Sequence, residues 1–279
     1  MLPVFGRILW GGAKRQDLPD RIRDNIRQQQ QDSEKLIGWI QLTIVIAFSI
    51  LYAVSPAAFT INDNIQLVPY ILPTYFLFTV IRLFLVYRHR LPGWFIGLSV
   101  IADIALLMIT IWSFHLQYGQ PPSFYLKAPT LLYIFIFIAL RALRFEARYV
   151  ILAGTVSAIG WIMMFLYVIL AEPGNPMITR DYVQYLTTNS ILIGGEIDKI
   201  ISILMVTGIL ALAISRARGL LVRSVAEGET ARTLSRFFAP AVIEQMASAE
   251  KEVSLGQGIE REAAILRVDL RSFTPFSKD

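Results

Sequence analysis

Residues 149–170 read YVILAGTVSAIGWIMMFLYVIL, a run without a single charged side chain. Crossing the hydrocarbon core of a bilayer takes about 20 mostly apolar residues in a helix. A helix of a water-soluble protein keeps one polar face, whereas this run is apolar almost all round. Five further segments share its character, at 36–54, 66–87, 94–114, 128–143 and 195–214. Together they predict an all-α polytopic membrane protein with six transmembrane helices over 36–214. The fourth segment is short, and the sixth carries charge at its start.

Composition points the same way. Of 279 residues, 55% are hydrophobic and 17% charged, with a mean hydropathy of +0.54, more apolar surface than one water-soluble core hides. The net charge of +5 is modest, and the arginines gather at the ends of apolar runs instead of forming one basic face, so nucleic acid is not an expected partner. The absence of cysteine excludes a disulfide, a thiolate metal site and a cysteine nucleophile. Arg7 interrupts the first apolar stretch, so no cleaved leader is expected.

Basic residues orient the spans. Lys14, Arg15, Arg21, Arg23, Arg27 and Lys35 precede the first, Arg88 and Arg90 separate the second from the third, and Arg141, Arg144 and Arg148 separate the fourth from the fifth. Arg216, Arg218 and Arg223 follow the sixth, while the opposite loops hold only Lys127 and Arg180. The pattern places both termini in the cytoplasm and the protein in the cell (inner) membrane. Ahead of the first span, Leu18, Ile22 and Ile26 recur every four residues among charges. They predict an amphipathic helix on the inner surface within a cytoplasmic region over 1–35, packed on its neighbours or bound to lipid headgroups. Past Ile214 the hydropathy collapses while helix formers continue to Pro240. This predicts a cytoplasmic signalling helix over 215–239, with a short parallel coiled coil as one form it takes.

Ionisable groups inside apolar segments mark functional or structural sites, because a charge at mid-bilayer costs at least ~2.5 kcal/mol without a partner or water. Asp103 lies deepest, and Arg82 stands in the inner half of the second span. The two either pair structurally or Asp103 serves a ligand, an ion or a proton. Glu196, Asp198 and Lys199 follow Gly194 and Gly195 at the outer end of the sixth span. Glu196 and Lys199 are spaced to pair along one helix face; alternatively Glu196 and Asp198, with Asp103, form an outward-facing acidic site for a cation or an amine. His89 and His115 are predicted on opposite surfaces and cannot jointly hold a haem. Pro69 and Pro73 are expected to kink the second helix.

The last residues are more specific. They read LSRFFAPAVIEQM at 234–246, GIERE at 258–262 and AILRVDLRSFTPFS at 264–277. The run 264–270 is largely apolar and bounded by charged and turn residues, as in a buried central strand. Asp269 at its end needs an ion partner, either Arg267 or Arg271, or a metal. In order and spacing these pieces resemble the start of a class III nucleotidyl cyclase catalytic domain, here over 240–279, opening on the first strand of its α/β fold. The resemblance covers about the last sixth of the chain.

The resemblance implies an enzyme that converts ATP to cyclic AMP and pyrophosphate with Mg2+ or Mn2+, working as a homodimer. Asp269 matches the first metal-binding aspartate, the Leu270 carbonyl a further ligand, and Ser272, Phe273 and Thr274 the backbone against the phosphates. Two carboxylate-held cations would help deprotonate the ribose 3'-hydroxyl and neutralise the triphosphate. Ser272 departs from the usual glycine, and Arg267 from an apolar residue. No catalytic set is complete before Asp279, so this stretch alone is expected to be inactive, a membrane sensor and anchor for an unknown ligand. Two other readings are a passive anchor, and a transporter or channel with a cyclase-like tail, which requires more polar residues lining a midplane cavity.

Overall fold

The computed structural model describes residues 20–54, 67–89, 91–171 and 178–234, with side chains described from 28 to 222 within these and at 224. The elements are α1 (Asp20–Val54), α2 (Val68–Arg88), α3 (Gly93–Gln117), two 3-10 turns (Pro122–Lys127 and Pro129–Leu132), α4 (Tyr133–Ala142), α5 (Ala147–Ala171), α6 (Tyr182–Thr187) and α7 (Ile193–Leu234). The described residues hold no strand beyond one bridge between Ile178 and Ile191. Contacts divide the chain into two units, 1–226 and 227–279. The bundle described below belongs to the first.

Among the described residues five helices are long and apolar enough to cross a membrane: Gln28–Val54 within α1, Val68–Arg88, Gly93–Gln117, Ala147–Ala171, and Ile193–Val222 within α7. By length and composition this is a multi-pass helical membrane protein. The expected fourth span differs. In place of one helix over 128–143 there is a 3-10 turn, then only ten residues of α-helix, Tyr133–Ala142. Pro121, Pro122 and Pro129 supply no backbone N–H, so regular i to i−4 bonding begins only after them. The α-helical part rises about 15 Å.

The polypeptide around α4 nevertheless runs the length of its neighbours. At one end, Tyr125 donates to the carbonyl of Met164, late in α5, at 2.7 Å. Midway, the Tyr133 ring stacks on Phe48 of α1 with centroids 4.3 Å apart. At the other end, Arg144 reaches Glu34 of α1 at 2.7 Å, and Tyr149 meets the Gly93 carbonyl, so α3 and α5 start at one level. The segment 122–146 therefore runs antiparallel to α1, α3 and α5.

From Asp20 the segment before the first span continues into it as one 35-residue helix, because 20–35 holds neither proline nor glycine to end it; Leu18 lies outside the described residues. Pro69 occupies the first turn of α2, where its missing N–H is harmless, and Pro73 lies within the helix. After the apolar run, α7 continues without a break to Leu234, a 42-residue helix, as its uninterrupted helix formers predict.

The core is built around α3 and α5. Ile96, Ile104 and Ile111 line one face of α3 and pack with Val150, Ala153 and Trp161 of α5 and with Ile134 and Ile138 of α4. Close approach of α5 to α7 depends on Gly154, where an added Cβ would stand 1.9 Å from the Thr207 hydroxyl oxygen. A glycine on the same helix as Thr207, Gly208, faces open space. Gly154→Ala is expected to destabilise the bundle by about 1–3 kcal/mol through overpacking, and Gly208→Ala to leave it unchanged or firmer. Thermal unfolding of both variants in detergent compares them; equal melting temperatures would refute the tight α5–α7 contact.

Candidate functional site

Six charged side chains are buried together at the end of the bundle where α3 and α5 begin: Glu34, Arg82, Asp103, Arg141, Arg144 and Glu146. Three carboxylates face three guanidinium groups, so the buried set is neutral. Its positions follow from helical spacing. Glu34 and Gln41 stand two turns apart on one face of α1, and Tyr75 and Arg82 stand two turns apart on the facing side of α2.

Asp103, only 1% exposed, lies at the centre. It is ion-paired with Arg141 and, at 3.4 Å, with Arg82. The Gln41 amide donates to Asp103 at 2.5 Å and to the Tyr75 hydroxyl, while its own oxygen accepts from Arg82 at 2.8 Å. Arg82 also binds Glu34 at 2.9 Å, and Glu34 accepts from Arg144 at 2.7 Å. Glu146 accepts from Gln30 and, at 2.6 Å, from Arg148, which is half exposed. One connected set of contacts therefore joins α1, α2, α3, α4, the α4–α5 turn and α5.

Arg82 and Asp103 thus form the structural pair that was one of the two sequence readings, but not alone. Arg141 and Arg144, expected in a cytoplasmic loop, are instead 2% and 8% exposed and complete the set. At the end of an apolar run an arginine that marks a loop reads the same as one that turns back into the bundle. The available signal was Glu34, a carboxylate seven residues before the buried Gln41. Phe145, between Arg144 and Glu146, takes a positive φ of 56°, the backbone turn that directs both neighbours inward. The acceptors of the set are all engaged, whereas Arg82 Nε, Arg141 Nη1 and Arg144 Nε have no hydrogen-bond partner.

The second group lies at the opposite end. Glu196 is fully buried; it accepts from Lys199 at 2.7 Å and from the Trp161 indole at 2.9 Å. Lys199 also donates to the Leu126 carbonyl at 2.6 Å, so one ion pair clips α7 to α5 and to the first 3-10 turn. Lys127 donates to the carbonyls of Tyr185 and Thr188 at the end of α6. Asp198 is exposed. Asp103 and Glu196 have separate partners and form no common acidic site in this arrangement. Among the described residues no three His, Cys, Asp or Glu side chains converge as a metal-ligand set. Asp269, Leu270, Ser272, Phe273 and Thr274 lie outside the described residues.

Removing one partner of a buried ion pair strands the other charge, at about 3–5 kcal/mol, whereas replacing both by apolar groups is close to neutral. Asp103→Leu is therefore expected to lower stability by about that amount, and Asp103→Leu combined with Arg141→Leu to recover at least half of it. Melting curves in detergent decide this, and a double variant as unstable as the sum of its singles would show that the two side chains do not pair. No family model, curated protein or solved structure matches this chain.

Proposed function

We propose that this chain is the membrane sensor and anchor of a class III adenylate cyclase, which as a homodimer converts ATP to cyclic AMP and pyrophosphate. The observation that carries this reading is the cyclase-like sequence at 234–277, set directly after a helix that runs without interruption from the apolar segment to Leu234. In this reading the protein sits in the cell (inner) membrane with six crossings, the fourth made by α4 and its 3-10 turns, and both termini are cytoplasmic. Reassigning Arg141 and Arg144 to the bundle interior leaves Arg88 and Arg148, with Lys35 of α1 beside Tyr87, at the same end.

A ligand or membrane signal acts through α7. Its first turns are clipped by Glu196 and Lys199 to α5 and the Leu126 carbonyl, so a rotation of that end propagates along one continuous helix. Asp269 and the Leu270 carbonyl would hold Mg2+ or Mn2+, whose charge would offset that of the triphosphate. The passive-anchor reading draws support from the same buried set, because an ion-paired neutral cluster stabilises a bundle without any ligand. A transporter reading finds little: the deepest carboxylate, Asp103, is already engaged by two arginines and Gln41.

Cyclic nucleotide formation by the full-length protein in membranes, given ATP or GTP with magnesium, tests the proposal against Asp269→Ala. Magnesium-dependent cyclic AMP that falls at least a hundredfold in the variant is expected. Folded, dimeric protein that makes no cyclic nucleotide would sink the cyclase assignment.

A further inference from the structure

A cavity of about 270 Å³ opens at the arginine-bearing end of the bundle, between α1, the end of α2, the start of α3 and the α4–α5 turn. Val86, Leu91 and Ile96 form its apolar wall; Gln31, His89 and Arg144 are among the polar groups facing it.

Which chemistry the cavity takes follows from its unmet hydrogen bonds. Glu34, also in the lining, is already engaged by Arg82 and Arg144, and the Gln30 amide is given to Glu146. Arg144 Nε is buried without an acceptor, and Glu146 Oε1 stands 3.6 Å from it, too far for a hydrogen bond. Behind it, Arg82 Nε and Arg141 Nη1 are equally unpaired. Of these orphans Arg144 Nε belongs to a residue that lines the cavity, and a buried cationic N–H without a partner calls for an acceptor. The buried charges cancel, and the half-exposed Arg148 adds one positive charge beside them. A phosphate group, with several anionic oxygens and a fit to the guanidinium fork, answers this deficit better than a neutral acceptor.

We infer that the cavity binds a phosphate group through Arg144, with Gln31 and His89 at its side. The apolar wall beside the polar one, at the end of membrane-length helices, favours the headgroup of an anionic phospholipid whose first chain carbons lie along Val86 and Leu91. Free phosphate shares the same oxygens and would use the same donors.

The test is thermal unfolding of the delipidated full chain in detergent, with phosphatidylglycerol, with diacylglycerol lacking phosphate, or with inorganic phosphate alone. Phosphatidylglycerol is expected to raise the melting temperature by several degrees and diacylglycerol not to. An equal rise with inorganic phosphate would support the phosphate site and identify free anion as its source. Arg144→Gln should abolish the rise. Should that variant fail to fold for want of the Glu34 pair, Leu91→Trp, which fills the apolar wall and leaves the ion pairs intact, should weaken phosphatidylglycerol binding at least tenfold. A rise that is the same with diacylglycerol, no rise with any of the three, or phosphatidylglycerol binding untouched by Leu91→Trp would overturn the inference.

Discussion

Asp103 carries a charge inside a helix that is otherwise apolar, and the pairing of that charge with Arg82 and Arg141 determines how three helices stand against one another. In a bilayer, apolar contact between helices gains little over apolar contact with lipid, so packing alone positions them weakly. An ion pair in the same place is directional, and stranding one partner by removing the other costs several kcal/mol. From Asp103 the contacts pass through Arg82 to Glu34 and on to Arg144, and they tie α1 to a turn 110 residues later in the chain. The short α4 is held in the bundle by this set at one end and by the Tyr125 hydroxyl at the other. That explains how ten α-helical residues after three prolines keep a fixed place among longer helices.

The two ends of the bundle are fastened differently. At the arginine-bearing end six buried charges neutralise one another, and the excess of guanidinium donors leaves three N–H groups unpaired. At the other end a single pair, Glu196 and Lys199, is completed by an indole N–H and a backbone carbonyl. Along α7, between its ends, Met205, Ile209 and Leu212 are exposed, and Gly154 permits the close approach at Thr207. A helix fastened firmly at one end and lightly along its length is suited to transmit rotation, which is the property the proposed signalling role requires.

Hydropathy made most of the fold legible. The expected segments at 66–87, 94–114 and 149–170 coincide within a few residues with α2, α3 and α5. It failed at 128–143, where the prolines before α4 shorten the helix although composition stays apolar. The Arg82–Asp103 pair was legible because ionisable groups are rare in such segments. Arg141 and Arg144 were not, since a basic residue flanking a span carries no mark of whether it faces water or turns inward. An association of Asp103 with Glu196 depends on which helices are neighbours, which a linear sequence does not encode; their partners lie at opposite ends of the bundle. The residues that carry the cyclase resemblance lie outside the described part, and the functional proposal rests on their sequence.

One buried charge set joins distant parts of the chain, and the ion pair in it that spans the most sequence is Glu34 with Arg144 at 2.7 Å. A double-mutant cycle in detergent, with Glu34→Gln, Arg144→Gln and the double variant, measures that link directly. A coupling of at least about 1 kcal/mol is expected, as for side chains in direct contact. Effects that add to within about 0.3–0.5 kcal/mol, as for independent sites, would contradict it.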